Sequence, residues 1–188
     1  MNRPKTTIYI AETVDGFIAR CDGEIDWLDQ YAGGHDYGWA LFRQSIDSLI
    51  IGRRTYEQVL GFDVGWPYEG LSTFVWSRSL TNKDLPAALS GEAVEISALP
   101  PVELLEEIGS RGLKCVWIDG GQTLQSFLAA GLVDVIKITR IPVLIGQGKP
   151  LFGALDNDIR LEHLETQSFE SGVVQSTYAV TDANGPKD

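Results

Sequence analysis

The stretch Val116-Trp117-Ile118-Asp119-Gly120-Gly121, continued by Gln122 to Ala130, constrains this chain's fold more than any other part of it. A short apolar run ends on an acid and two glycines, and a helix-forming segment then runs to Gly131. That order specifies a buried strand, a tight turn and a helix stopped by glycine. The same grammar occurs at Ser48-Leu49-Ile50-Ile51-Gly52, followed by a short helix over Thr55 to Leu60 that ends at Gly61. Thr73 to Trp76 and Val94 to Ile96 predict further strands, and Pro100-Pro101 with Val102, Leu105 and Ile108 predicts a helix with proline in its first turn. Strands alternating with helices imply an α/β fold, its mainly parallel sheet covered on both faces.

Around this centre, Ile8 to Ala11 predicts a first strand, Asp15-Gly16 a turn, and Phe17 to Ala19 renewed extended structure. Arg20 to Gly34, mixed in composition and rich in Gly and Asp, is expected to be a long loop. His35-Asp36 opens a helical stretch with Trp39, Phe42 and Ile46 facing inward. Val133 to Ile141 is a strand, and Ile159 to Thr166 with Val173 to Val180 form a closing antiparallel pair. With no repeat and no low-complexity linker, residues 1–188 make one domain with its core over about 5–180, and the tail Asn184 to Asp188 is expected to fray.

Composition removes several function classes. Fifteen basic against 26 acidic residues leave a net charge of −11, the wrong sign for a nucleic-acid surface. Cys21 and Cys115 stand far apart, Cys115 with the setting of a buried thiol, and His35 and His163 are the two histidines, so no metal site is expected. The start MNRPKTT lacks a signal-peptide apolar region, and no run reaches membrane length, so the expected setting is cytoplasmic with no membrane partner.

The chemistry concentrates at strand ends. Gly52-Arg53-Arg54-Thr55 places a glycine turn and two guanidinium groups at a helix start, where free N–H groups attract phosphate oxygens. Gly120-Gly121-Gln122-Thr123 permits close approach of a pyrophosphate to the backbone. Ser77-Arg78 adds a hydroxyl and a guanidinium after a third strand. Neither GxGxxG nor a P-loop is present. Each turn, taken alone, is more often only an ordinary solvated turn.

The motifs in order (Val14-Asp15-Gly16-Phe17-Ile18-Ala19, Ile50 to Glu57, Ile118 to Gly121) resemble the dihydrofolate reductase fold family. Gly23 to Leu28 and Ile141 to Phe152 are similar to the branch containing the reductase domain of riboflavin biosynthesis. The resemblance implies a three-layer dihydrofolate reductase-like fold with a mainly parallel sheet and an antiparallel C-terminal strand pair. It implies NADPH as cofactor and reduction of a small planar heterocycle, of the 5-amino-6-(5-phosphoribosylamino)uracil or pteridine type. Arg53, Arg54, Ser77 and Arg78 match positions for the adenosine 2′-phosphate end; Thr55 and the backbone of Gly52, Gly120, Gly121, Gln122 and Thr123 match pyrophosphate contacts; Ala11 and Ile18 match residues lining the nicotinamide. Clustered guanidinium groups favour NADPH over NADH. The chain departs from the riboflavin-pathway reductases at Phe17, where they carry lysine, and in its Arg-Arg-Thr-Tyr-Glu turn.

Two carboxylates compete for the proton-donating role. Asp36 matches the catalytic carboxylate of dihydrofolate reductase, yet equally suits a helix N-cap. Asp119 matches an acidic residue of the riboflavin-pathway enzymes, yet equally suits a structural strand end. Trp39 is expected in the core and Trp27 either there or stacked on a heterocycle, while Trp66-Pro67-Tyr68 is expected to be loop packing. Dihydrofolate reductase activity and a non-catalytic NADPH-binding protein are the alternatives to a riboflavin-type reductase. A homodimer is implied by relatives and suits an unpaired strand edge near the C-terminal hairpin.

Overall fold

The computed structural model describes residues 3–32, 35–62, 65–89 and 91–181. Asn184 to Asp188, the tail expected to fray, lies outside the described residues, as does Gly34 at the end of the expected loop. Eight strands form one sheet: β1 Lys5–Thr13, β3 Ser48–Gly52, β4 Ser72–Trp76, β5 Val94–Ser97, β6 Cys115–Asp119, β7 Val135–Ile141, β9 Arg160–Ser168 and β10 Val174–Thr181. Their order is β5-β4-β3-β6-β1-β7-β10-β9. The first six pair in parallel, and β10 and β9 add on antiparallel at one edge. Two short strands, β2 Phe17–Ala19 and β8 Lys149–Pro150, make a separate antiparallel ribbon.

Alternation along the strands builds the layers. Leu49 and Ile51 face one side of the sheet and Ile50 the other, and all three are fully buried, as parallel strands covered on both faces require. Helices α4 Pro101–Ser110 and α5 Gly121–Ala129 cover one face through Leu104, Leu105, Ile108, Leu124 and Phe127. Helices α2 Trp39–Ser45 and α3 Arg53–Leu60 cover the other through Phe42, Tyr56 and Val59, packed on Trp117. This is the three-layer α/β architecture, with the antiparallel pair in its expected place. No helix among the described residues is long and apolar enough to cross a membrane.

Four local expectations need correction. The Arg20 to Gly34 stretch contains a 3-10 turn over Asp26–Leu28 and a short helix, α1 Asp29–Ala32, because Trp27 is drawn into a small core with Ile141 and Val173. That burial also fixes Trp27 as core. Val102 of α4 points to solvent while Leu104 takes the inward position, so the buried stripe starts two residues later. The helix after His35 begins only at Trp39, since Tyr37 and Gly38 both adopt positive φ, and Ile46 lies just past its end. Cys115 is half-buried, on the same face as Trp117.

Candidate active site at the carboxyl ends of the strands

β6 lies between β3 and β1, so the turns into α3 and α5 stand side by side at the centre of the sheet. They interlock. A Cβ on Gly52 would collide with Thr123 Oγ1, and one on Gly120 would lie 2.5 Å from Thr55 Oγ1. Each threonine thus occupies the space left by the other turn's glycine, and Thr123 is buried by it. Gly120 has φ +92° and ψ 127°, a conformation open to glycine almost alone.

The helix starts share a second property. Gly52 and Gly120 are the N-caps of α3 and α5, neither supplies a capping side chain, and neither helix has an acid in its first turn. Their leading N–H groups therefore converge with positive dipole ends and no side-chain acceptor from their caps. Arg53 and Arg54 are exposed beside them, Arg53 loosely paired with Glu57 at 3.3 Å. Arg78 is exposed at the end of β4. Ser77 is buried and its Oγ accepts the N–H groups of Ser79 and Leu80, so its hydroxyl shapes the turn that presents Arg78.

On the other side, Ile18 of β2 closes against Gly121, where a Cβ would approach its Cδ1 to 2.7 Å. Ala11 of β1 is half-buried and packs toward Trp27 and Ile141. The Asp15 carboxylate ties this ribbon together, accepting from Thr13 Oγ1 at 2.5 Å and from the N–H groups of Ile145 and Gly146. Gly23, in the 20–32 segment, accepts a hydrogen bond through its carbonyl from Gln58 Nε2 of α3 at 3.3 Å. That segment therefore reaches from β2 to α3.

The two carboxylates differ in setting. Asp119 ends β6 beside Ile51, partly buried, on the face that carries Trp117. Burial raises its carboxyl to about 6, against a smaller opposing effect of the Gly120 N–H. Tyr68 lies near enough that burial first, and the Asp119 charge second, push its phenol up. Asp36 is exposed and is not the N-cap of α2, which is Gly38; it accepts the Ala40 N–H at 3.1 Å from two residues before that cap. It also approaches Tyr9, whose phenol is raised by burial and, to a smaller degree, by the Asp36 charge.

The RibD C-terminal domain family model matches residues 4–175. The chain belongs to this family. It is 37% identical over 174 residues to the uncharacterised YwjB of Bacillus subtilis (strain 168), covering 90% of this chain and 94% of that protein. A candidate riboflavin biosynthesis protein of Shewanella sp. PV-4 superposes with a TM-score of 0.88 at 32% identity, covering 95% and 99% of the two chains. Two further structures share the fold at low identity. One is the diaminohydroxyphosphoribosylaminopyrimidine deaminase/5-amino-6-(5-phosphoribosylamino)uracil reductase of Thermotoga maritima (TM-score 0.75, 15%, covering 95% of this chain and 57% of that one). The other is dihydrofolate reductase of Enterococcus faecalis (TM-score 0.62, 20%, covering 95% and 97%). The dihydrofolate reductase-like fold expected from the motifs is thereby shown.

Within this RibD-like frame, the structure brings Gly52, Thr55, Gly120, Gly121, Thr123 and Ile18 into one cradle, with Arg53, Arg54, Gln122 and Arg78 on exposed turns around it. Ser77 and Asp36 have local structural partners instead. Sequence reasoning missed a buried polar network behind α2. Gln175 Nε2 donates to Thr139 Oγ1 at 2.7 Å and to the Tyr37 carbonyl at 2.9 Å, and Tyr9 Oη donates to that same carbonyl at 2.9 Å. This network holds Tyr37 at φ 48°, the one non-glycine positive φ among the described residues. A glutamine in an edge-proximal strand gives no signal of burial; only the packing of β10 on β7 creates it.

Proposed function

We propose that the chain is an NADPH-dependent reductase of a small planar heterocycle of pyrimidine or pteridine type. The observation that carries this reading is the pair of converging helix starts, both glycine-capped and free of first-turn acids. Such a pair suits the pyrophosphate of a dinucleotide, and Thr55 and Thr123 fix the two turns relative to one another. Arg53, Arg54 and Arg78 would take the 2′-phosphate and adenosine end, and Ala11, Ile18 and Gly121 the nicotinamide side. The cofactor, when bound, supplies hydride. Asp119, partly buried and raised to about 6, is the better placed group to hold a proton for the acceptor near neutral pH. Asp36 is exposed and engaged by the Ala40 N–H at the start of α2. The reading includes a homodimer: β9 is one of the sheet's two edges, exposed along its whole length with Leu161 and Leu164 outward, and a second copy would cover it.

The test is thermal unfolding with each cofactor. NADPH is expected to raise the melting temperature more than NADH, and Arg53→Ala to abolish most of that difference. Equal shifts, or none, overturn the cofactor assignment. NADPH binding without oxidation across pterins, dihydrofolate and aminouracils would instead identify a non-catalytic binding protein.

A further inference from the structure

Cross-strand register gathers polar side chains on one face of the sheet, on the opposite side of β1 from the glycine turns. Thr177 of β10 lies between Lys137 of β7 and Glu165 of β9, and Gln175 lies between Thr139 and Gln167 in the same way. Residues two apart on a strand, and residues directly opposite across strands, share a face, so the two rows project together. Helix α2 stands over them with Gly38, Leu41 and Phe42, and helix and strands line a cavity of about 330 Å³. We propose that this cavity binds a small zwitterion of the α-amino-acid type. Lys137 holds its carboxylate, Gln175 Oε1 and Glu165 hold its ammonium, and Leu41 and Phe42 take its aliphatic side chain. The inference does not depend on the reductase reading.

Gln175 carries the argument. It is 4% exposed, and its Nε2 donates to Thr139 Oγ1 and to the Tyr37 carbonyl. A carbonyl only accepts, so the amide cannot be turned round, and Oε1 is fixed on the other side of the group. There it borders the cavity: a Cβ on Gly38 would lie 3.8 Å from Oε1 and 3.4 Å from Lys137 Nζ. Among the described residues no group donates to this oxygen. A mostly buried acceptor without a donor is costly, and a ligand ammonium supplies the donor. Lys137 is half-buried, with Nζ 5.4 Å from the centre of the Tyr9 ring, and neither it nor Glu165 makes an ion pair among the described residues. Their strands stand two spacings apart, about 10 Å, so the two charges flank the cavity rather than meet across it. Nζ and Oε1 border one point without bonding to each other, a gap that the adjacent carboxylate and ammonium of one α-amino acid span. Phe42 is buried below and Leu41 is 74% exposed at the mouth, an apolar side chain that gains by being covered. A cavity of this volume lies at the small end of ligand sites, suited to an amino acid rather than a nucleotide.

The experiment titrates the full chain with L-leucine by isothermal titration calorimetry, up to about 10 mM. Two truncated analogues run beside it: 4-methylpentanoate, which lacks the ammonium, and leucinamide, which lacks the carboxylate. Leucine is expected to bind at least about tenfold more tightly than either, and Lys137→Met and Glu165→Gln are each expected to weaken it by about tenfold or more. Glu165 is exposed on its strand, so Glu165→Gln decides the matter if Lys137→Met does not fold. Absence of leucine binding overturns the inference. So does binding no tighter than that of a truncated analogue, or unchanged in either folded variant. Sedimentation of the same proteins identifies the competing occupant: a dimer that Lys137→Met dissociates, in a chain that does not bind leucine, assigns the cavity to contact between two copies and overturns the ligand site.

Discussion

Replacing Asp119 with asparagine isolates the energetic cost of keeping a carboxylate at the end of β6. Burial raises this group from 3.8 to about 6, so the folded chain holds its proton across a range in which the unfolded chain has released it. The sign follows directly. Between about pH 4 and 6 the folded state binds more protons, and stability falls as pH rises through that window. Above it the cost is fully expressed, about 3 kcal/mol for a shift of this size. Asparagine keeps an oxygen that can accept the Gly120 N–H and carries no charge at any pH. Urea melts of both proteins at pH 4, 5, 6, 7 and 8 should therefore show near-equal stability at pH 4. The mutant's advantage should then grow to about 3 kcal/mol at pH 7 and above. Differencing the two proteins cancels every other titrating group. A gap that is constant with pH would refute the assignment of a raised, buried carboxyl. If the same residue supplies a proton in turnover, the mutant also loses activity where it gains stability, the usual exchange at a functional site.

Gly120→Ala should cost about 2–4 kcal/mol in urea melts, from the φ of +92° and the meeting of its Cβ with Thr55 Oγ1 at 2.5 Å. Adding Thr55→Ala should return only the steric part; wild-type stability in the single mutant refutes the interlock. Gln175→Leu leaves Thr139 Oγ1 without its buried donor and the Tyr37 carbonyl with one donor instead of two, and should cost about 1–3 kcal/mol by the same assay.

The central strands β3 and β6 were legible because they are short apolar runs closed by glycine. Leu49 to Ile51 and Val116 to Ile118 face buried surroundings on both sides, so no alternation was needed to find them. The glycine turns were legible as turns, and their order carried the family. What the sequence leaves out is mutual: that Thr55 fills the space at Gly120 and Thr123 the space at Gly52 is a contact between segments about 65 residues apart. The segment after Arg20 looked like loop because its helical pieces last only a turn, and their stability comes from Trp27 docking on distant Ile141 and Val173. Asp36 shows the opposite limit. Its match to a catalytic position and its suitability as an N-cap were both visible; the N-cap of α2 is Gly38, and Asp36 accepts the Ala40 N–H from two residues before it.

The two halves of the candidate site are built to different standards of rigidity. At the glycine turns, proposed above to hold the dinucleotide, both turns are locked by reciprocal threonine–glycine packing, backed by α5 side chains in the main core. Positioning is then fixed before any ligand arrives, which on the proposed reading would hold one cofactor the same way in every turnover. On the other side, the 20–32 segment touches α3 through one 3.3 Å side-chain hydrogen bond from Gln58, and the β2–β8 ribbon is only two or three residues long. Adjustments of ring size or substituent fall on this weaker half, where few contacts must change. A family with this division can keep one cofactor cradle while its members diverge in substrate.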